Sequence, residues 1–275
     1  MKIIADSSAD LLSLADAVFE AVPLKLVTSV REYVDNGDLD VHGMLTDLRR
    51  YKGKSGSSCP NLDDYLNAFG EESEIFCITI TSGLSGSYNA AATAARIYLE
   101  KHPDRKVSVL DSLSAGAELT LIVEKLRDLI QSGRAFEEID CLIRDYMKHT
   151  NLIFALESLH NLAANGRVSP LVAKFAGILG IRIVGRASEK GVLEITNKSR
   201  GAAKMNADIY SNMKERGYTG GRVRIHHAEN PEAAELLKGT ILADFPNADI
   251  TIGETRGLCS FYAELGGLMI GYENT

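Results

Sequence analysis

Four hydroxyls stand within a short stretch at Thr81, Ser82, Ser85 and Ser87, interleaved with Gly83 and Gly86. Glycine lets a backbone turn tightly and bring its N–H groups up to a ligand, and each hydroxyl can donate one hydrogen bond. The chemistry this offers is anion binding. A helix starting here would present unpaired N–H groups and the positive end of its dipole to a carboxylate or a phosphate. The same residues also read as an ordinary serine cap. A third reading is nucleophilic, with Ser85 in a degenerate elbow, because Gly83-Leu84-Ser85-Gly86-Ser87 falls one residue short of G-x-S-x-G. Ser87 stands where that elbow needs glycine, and no HGGG-type oxyanion loop precedes it. No spacing singles out His226, with Asp111 or Glu157 as the acid, to complete a triad. A serine hydrolase is therefore the alternative rather than the main reading.

Two further groups carry hydroxyls. Asp6, Ser7 and Ser8 close the first predicted strand, at the carboxyl end where open α/β sheets bind ligands, although helix capping is the simpler role. The loop 53–61, GKSGSSCPN, brings Ser57 and Ser58 either as a plain connector or as a lid held over a ligand.

Positioning these groups requires strands and helices, and the periodicity supplies them. Residues 75–80 are a run of β-formers and 85–95 a small, Ala-rich helix, so the hydroxyl turn sits at a strand-to-helix junction. Strands are predicted at 2–6, 22–28, 33–34 and 106–110, and helices near 11–20, 41–51, 62–69, 115–130 and 136–148. Such regular alternation predicts a doubly wound, mainly parallel sheet. From residue 151 the pattern changes. Strand 152–157, a short helix stopped by Gly166, a further helix opened at Ser169-Pro170 and a hairpin 181–184/192–196 precede helices at 200–216 and 231–244. Strands at 222–227 and 249–252 and the final apolar run GGLMIGY complete a mixed sheet. The expected fold class is α/β, with two α/β domains at 1–150 and 151–275 and a ligand held between them.

Composition narrows the function. Of 275 residues, 45% are hydrophobic and 24% charged, as in an ordinary globular protein. A net charge of −7 argues against a nucleic-acid footprint. No stretch reaches the length of a membrane span, and the opening residues lack a signal peptide's apolar core, so a cytoplasmic location is expected. Cys59, Cys77, Cys141 and Cys259 form no CxxC pair and read as free thiols. His226 and His227 would face opposite sides of a strand, so neither a metal site nor a cofactor is expected. A phosphate-binding enzyme on a doubly wound fold would need a G-x-G-x-x-G after a strand, and none is present.

Several stretches together resemble the DegV family of bacterial fatty-acid-binding proteins. IIADSSADL looks like its opening strand and Asp-Ser-Ser turn, VPLKL its second strand, and SSCPN with DDY its Thr-Ser-Gln-Pro-Ser loop. TSGLSGSYNAA is similar to its Ser-Ser-x-Leu-Ser-Gly-Thr-Tyr motif, and VLDS, ESLHNLAANGRVS, GVLEITNKSRGAAK and IHHAENPEAAELL follow in the family's order. The resemblance covers nearly the whole chain. It implies a non-enzymatic carrier that holds a long-chain fatty acid and presents its carboxylate to a separate fatty acid kinase. By the same resemblance Ser85 meets the carboxylate, Ser57 stands for a family threonine and Cys59 for a glutamine. In YAELGG, Tyr262 takes the place of a family histidine and Leu265 that of a proline. A tyrosine donates one hydrogen bond but is neutral at pH 7, so it brings no positive charge. Arg167 matches an arginine-bearing motif and would face the anion or the partner, or else brace a loop. The expected ligand-binding set is Ser57, Ser58, Thr81, Ser82, Ser85, Gly86, Ser87, Arg167 and Tyr262. Leu171, Phe175, Ile178 and Leu268 are expected tail contacts or core.

Overall fold

The computed structural model of the protein describes residues 1–169 and 180–274. β1 (Lys2–Asp6) opens the chain, and β2 (Val18–Val22) lies parallel beside it. Between them the helix expected at 11–20 does not form. Leu11, Leu14 and Ala17 pack singly onto the core below as a loop, and the chain must be extended again by Val18 to pair with Lys2. Pro23, which has no N–H to give a sheet, splits the single strand expected at 22–28. β3 (Lys25–Thr28) and β4 (Glu32–Val34) then form a separate antiparallel sheet, a feature the sequence reading did not foresee. After α1 (Val41–Arg50), the serine-rich loop supplies that sheet's third strand, β5 (Ser55–Ser58), in the order β4-β3-β5.

α2 (Leu62–Phe69) starts with a capping box between Asn61 and Asp64. β6 (Glu74–Thr79), α3 (Ser87–Lys101), β7 (Lys106–Asp111), α4 (Ala117–Gln131) and α5 (Phe136–Tyr146) follow. The parallel sheet has the order β2-β1-β6-β7. Successive strand residues point to opposite faces. Ile3, Phe76, Ile78 and Leu110 accordingly pack under α4 and α5, while Ile4, Ile75 and Cys77 pack under α2 and the small residues Ala91 and Ala94 of α3. Helices on both faces make this a doubly wound arrangement.

β8 (Thr150–Leu156) begins the second sheet, followed by α6 (His160–Ala164), β9 (Ile181–Ala187), β10 (Leu193–Arg200) and α7 (Gly201–Glu215). β11 (Val223–His227), α8 (Pro231–Asp244), β12 (Ile250–Glu254), α9 (Gly257–Ala263) and β13 (Leu268–Glu273) complete it. The order is β10-β9-β8-β13-β11-β12, with β11 and β12 parallel and the other neighbours antiparallel. Ile153, Ala155, Leu268 and Ile270 face α7 and α8 in one core. Leu152, Phe154, Leu156 and Met269 point the opposite way, toward the first sheet.

Close contacts hold the two sheets together. A Cβ at Gly271 of β13 would come within 2.5 Å of the backbone of Ala117 and Glu118, so the first turn of α4 lies directly on that strand. His226 Nδ1 lies 2.9 Å from the buried Asp10 carboxylate, which also accepts the Arg256 N–H at 2.7 Å. Asp35, 1% exposed, accepts the N–H groups of Gly257 and Leu258 at 2.9 Å each and so caps α9. No helix among the described residues is long and apolar enough to cross a membrane.

Candidate functional site

The hydroxyls of the 81–87 turn separate in space. α3 begins at Ser87 rather than at residue 85, with Gly86 as its N-cap, and its first N–H group donates to the Ser85 hydroxyl at 3.3 Å. Leu84 and Ser85 both donate their N–H groups to the Thr81 carbonyl at 3.2 Å, which leaves Ser85 and Gly86 on the wall of a cavity between the sheets. Ser87 is buried elsewhere, its hydroxyl donating to Asp6 Oδ2 at 2.6 Å and lying 2.6 Å from the Tyr65 hydroxyl. Thr81 is also buried. Its Oγ1 accepts the Gly83 N–H at 3.1 Å, and Gly191 of the β9–β10 turn sits where a Cβ would be 1.9 Å from that oxygen. Ser82 is exposed, with its N–H on Asp111 Oδ1 at 3.0 Å. Contrary to expectation, then, Thr81, Ser82 and Ser87 do not line the cavity: packing holds Thr81 and Ser87, and Ser82 is turned out to solvent.

The cavity has a volume of about 280 Å³. Its apolar wall comes from Leu152, Phe154 and Leu156 on alternate positions of β8, with Met269 from β13, Leu24 and Ile80 from the first domain, and Leu258 and Ala263 from α9. Cys259 also lines it. Burial, with Asp10 and Asp35 nearby, pushes that thiol well above its ordinary pKa, so it stays neutral. At one end the polar groups collect: Ser57, Ser58, Ser85, Gly86, Arg167 and Tyr262. Ser57 reaches this point because β5 pairs with β3 opposite Leu26, and its Oγ lies 2.7 Å from the Tyr262 hydroxyl. Arg167 follows Gly166, which has a φ of +73°, and donates from Nε to the Leu84 carbonyl at 3.1 Å and from Nη1 to the Asn165 carbonyl. Both of these acceptors are backbone carbonyls and neither is a carboxylate. The arrangement can hold an elongated apolar molecule with an anionic end.

Asp6, Ser7 and Ser8 brace the fold instead of facing this cavity. Asp6, raised in pKa by burial, accepts the Ile80 N–H at 2.9 Å and the Ser8 hydroxyl at 2.5 Å, and Ser7 Oγ accepts the Leu24 N–H at 3.0 Å. Leu268 faces α7 and α8 and its neighbour Met269 lines the cavity. Leu171, Phe175, Ile178 and the helix expected to open at Ser169-Pro170 fall on residues outside the described ones. Sequence reasoning missed most of the wall; the continuous apolar run 152–156 signalled a strand buried on both faces but not which face meets the cavity. Among the described residues no histidine lines the cavity, and the Ser85 hydroxyl is paired with the Ser87 N–H at 3.3 Å. No three His, Cys, Asp or Glu side chains converge as a metal site among them.

Residues 1–274 match the family profile described as DegV, an uncharacterised protein family. A DegV domain-containing protein of Streptococcus pneumoniae R6 is 46% identical, the match covering 99% of this chain and 98% of that protein. A DegV domain-containing protein of Streptococcus gordonii is 41% identical over the same shares. Among solved structures, a DegV family protein of Eubacterium eligens loaded with heptadecanoic acid superposes with a TM-score of 0.98 at 44% identity, covering 100% of this chain and 99% of that one. The Streptococcus pneumoniae Fatty Acid Kinase (Fak) B3 protein loaded with linoleic acid does so with a TM-score of 0.98 at 45% identity and the same coverage. A profile matched almost end to end, and a backbone shared over the full length with solved members, leave one conclusion: this chain belongs to the DegV family.

Proposed function

We propose that the protein binds a long-chain fatty acid in the cavity between its sheets and presents the carboxylate to a separate fatty acid kinase, with no catalytic step of its own. The observation that carries this reading is the apolar sleeve ending at Ser57, Ser85 and Tyr262. In this reading residues 1–150 supply the hydroxyl turn and strand β5, and residues 151–275 supply most of the sleeve together with Tyr262 and Arg167. The two structural neighbours described as loaded with fatty acids support the ligand class, and the kinase name of one supports the partner. Four free cysteines fit a reducing, cytoplasmic setting.

Energetics assign different tasks to tail and head. Burying a sixteen-carbon chain at about 0.8 kcal/mol per CH₂ contributes on the order of 12 kcal/mol, against an association cost of roughly 4 to 15 kcal/mol. The tail therefore dominates affinity. Hydroxyls and the start of α3 orient the acid, at about 1 to 3 kcal/mol per charge-assisted bond. Mass spectrometry of an organic extract of the purified protein is expected to show a co-purified fatty acid. Delipidated protein should then bind long-chain acids saturably by calorimetry, and no saturable binding of any of them would remove the proposal.

A further inference from the structure

A second cleft, of about 510 Å³, adjoins the cavity, and its wall is mixed: Glu118, Thr150 and Arg216 stand in it beside Leu113, Met147 and Ala187. Among the described residues Leu152, 3% exposed, is the one that lines both spaces. The change of character runs along a single face of β8. Thr150, Leu152, Phe154 and Leu156 occupy alternate positions, about 6.6 Å apart, and therefore share that face. Thr150 belongs to the cleft and the three apolar residues to the cavity. Behind Leu152 the Thr150 hydroxyl donates to Glu118 at 2.7 Å, and the Ser114 hydroxyl donates to the same carboxylate at 2.5 Å.

The polar head end lies away from this boundary. Tyr262, bonded to Ser57, packs in the cluster of Leu156 and Leu162, whereas Leu152 packs with Ala115, Cys259 and Met269. Met269 is itself fixed there, because a Cβ on Gly116 would come within 2.5 Å of its methyl group. A chain whose head sits at Ser57 and Ser85 thus has its methyl end toward Leu152.

We propose that Leu152 is the end stop that sets the longest acyl chain the protein accepts, separating the sleeve from the hydrogen-bonded Glu118–Thr150 pair at the near side of the second cleft. The inference rests on the fatty-acid reading of the cavity. Within the sleeve each added methylene should raise affinity about fourfold. A methyl end pushed past Leu152 meets Glu118 and Thr150 instead, and covering polar groups with a chain that cannot bond them is unfavourable. A polar chain end would be received differently. Glu118 and Thr150 can exchange hydrogen bonds with such an end, so an acid with a terminal hydroxyl is the ligand class an open passage would admit.

The test measures a homologous series of saturated acids in two-carbon steps, with a terminally hydroxylated member, on delipidated wild type, Leu152→Ala, Leu152→Phe and Leu156→Ala. Wild-type affinity should rise with length to a maximum and then fall. Leu152→Ala should move that maximum to longer acids, with about a tenfold gain for the first acid beyond the wild-type limit and for the hydroxylated one. Leu152→Phe should move it to shorter acids, which keeps the test decisive should the alanine variant not fold. Leu156→Ala, at the head end, should weaken all members alike. An unchanged maximum in both Leu152 variants, or an equal displacement in Leu156→Ala, would overturn the end stop. Wild type that binds no acid in the series would instead overturn the fatty-acid reading beneath it.

Discussion

Ser85 and Ser87 stand two residues apart and have different tasks. The Ser87 hydroxyl joins Asp6 to Tyr65 in the core, whereas Ser85 lies on the cavity wall at the start of α3. If Ser85 donates to the ligand carboxylate, Ser85→Ala removes one charge-assisted bond and leaves the helix N-terminus in place, a loss of about 1 to 3 kcal/mol. Fatty acid should then bind roughly ten- to a hundredfold more weakly. A fatty alcohol of equal length, having no anion, should lose less. Titration calorimetry on folded protein makes the comparison, and equal losses for acid and alcohol would show that Ser85 does not touch the carboxylate. Ser87→Ala should act on stability instead, because it leaves a buried carboxylate short of a donor.

At the scale of elements, α9 decides where Tyr262 points. This helix has seven residues, too short to hold its shape unaided, and Asp35 satisfies its first N–H groups from a distant part of the chain. Burial raises the Asp35 carboxyl above its ordinary pKa, chiefly by desolvation, yet the carboxylate remains the only described acceptor for those two N–H groups. Asp35→Ala should therefore cost about 2 to 3 kcal/mol, as for a lost cap with buried donors left unpaired. Urea unfolding measures that loss. The same variant should bind fatty acid less tightly, since Tyr262, Leu258 and Ala263 all reach the cavity from this helix. A variant as stable as wild type would show that α9 is held by its packing alone.

For the whole molecule, Glu118 lies where the two sheets meet, at the start of α4 and against the first residue of β8. Desolvation pushes its carboxyl from 4.5 up to about 7, the Ser114 and Thr150 hydroxyls and Arg216 opposing the rise. Between these values the folded state keeps a proton that the unfolded state has released, so stability falls as pH rises through this window. The contribution is complete below about 4.5, is lost by pH values above about 7, and amounts to roughly 3 kcal/mol. Glu118→Gln has no proton to lose. Urea unfolding of both proteins across the window is expected to show wild type losing stability relative to the variant as pH rises. A constant difference would mean that Glu118 does not titrate between folded and unfolded states.

Much of this protein was legible before any coordinates. The order of short motifs identified the family, and hydrophobic period placed β1, β6 and β7 and the helices at 41–50, 62–69 and 87–101, though not the loop at 11–17, because strand and helix periods are local properties of the chain. Local pattern also located the turn at Ser85 and a strand at 152–157, but the continuous apolar run Leu152–Leu156 did not show which of its two faces lines a cavity. Local pattern could not tell which hydroxyl faces what. Thr81 and Ser87 have the same chemistry as Ser85, and only the approach of Gly191 to one and of Asp6 and Tyr65 to the other removes them from the cavity. Likewise the serine-rich loop became a strand because β3, freed by Pro23, offered it an edge to pair with. The cavity, the meeting of Ser57 with Tyr262 from opposite ends of the chain, and the boundary at Leu152 exist only when two sheets are packed together. Those features depend on contacts between residues far apart in sequence, for which a linear pattern carries no distance.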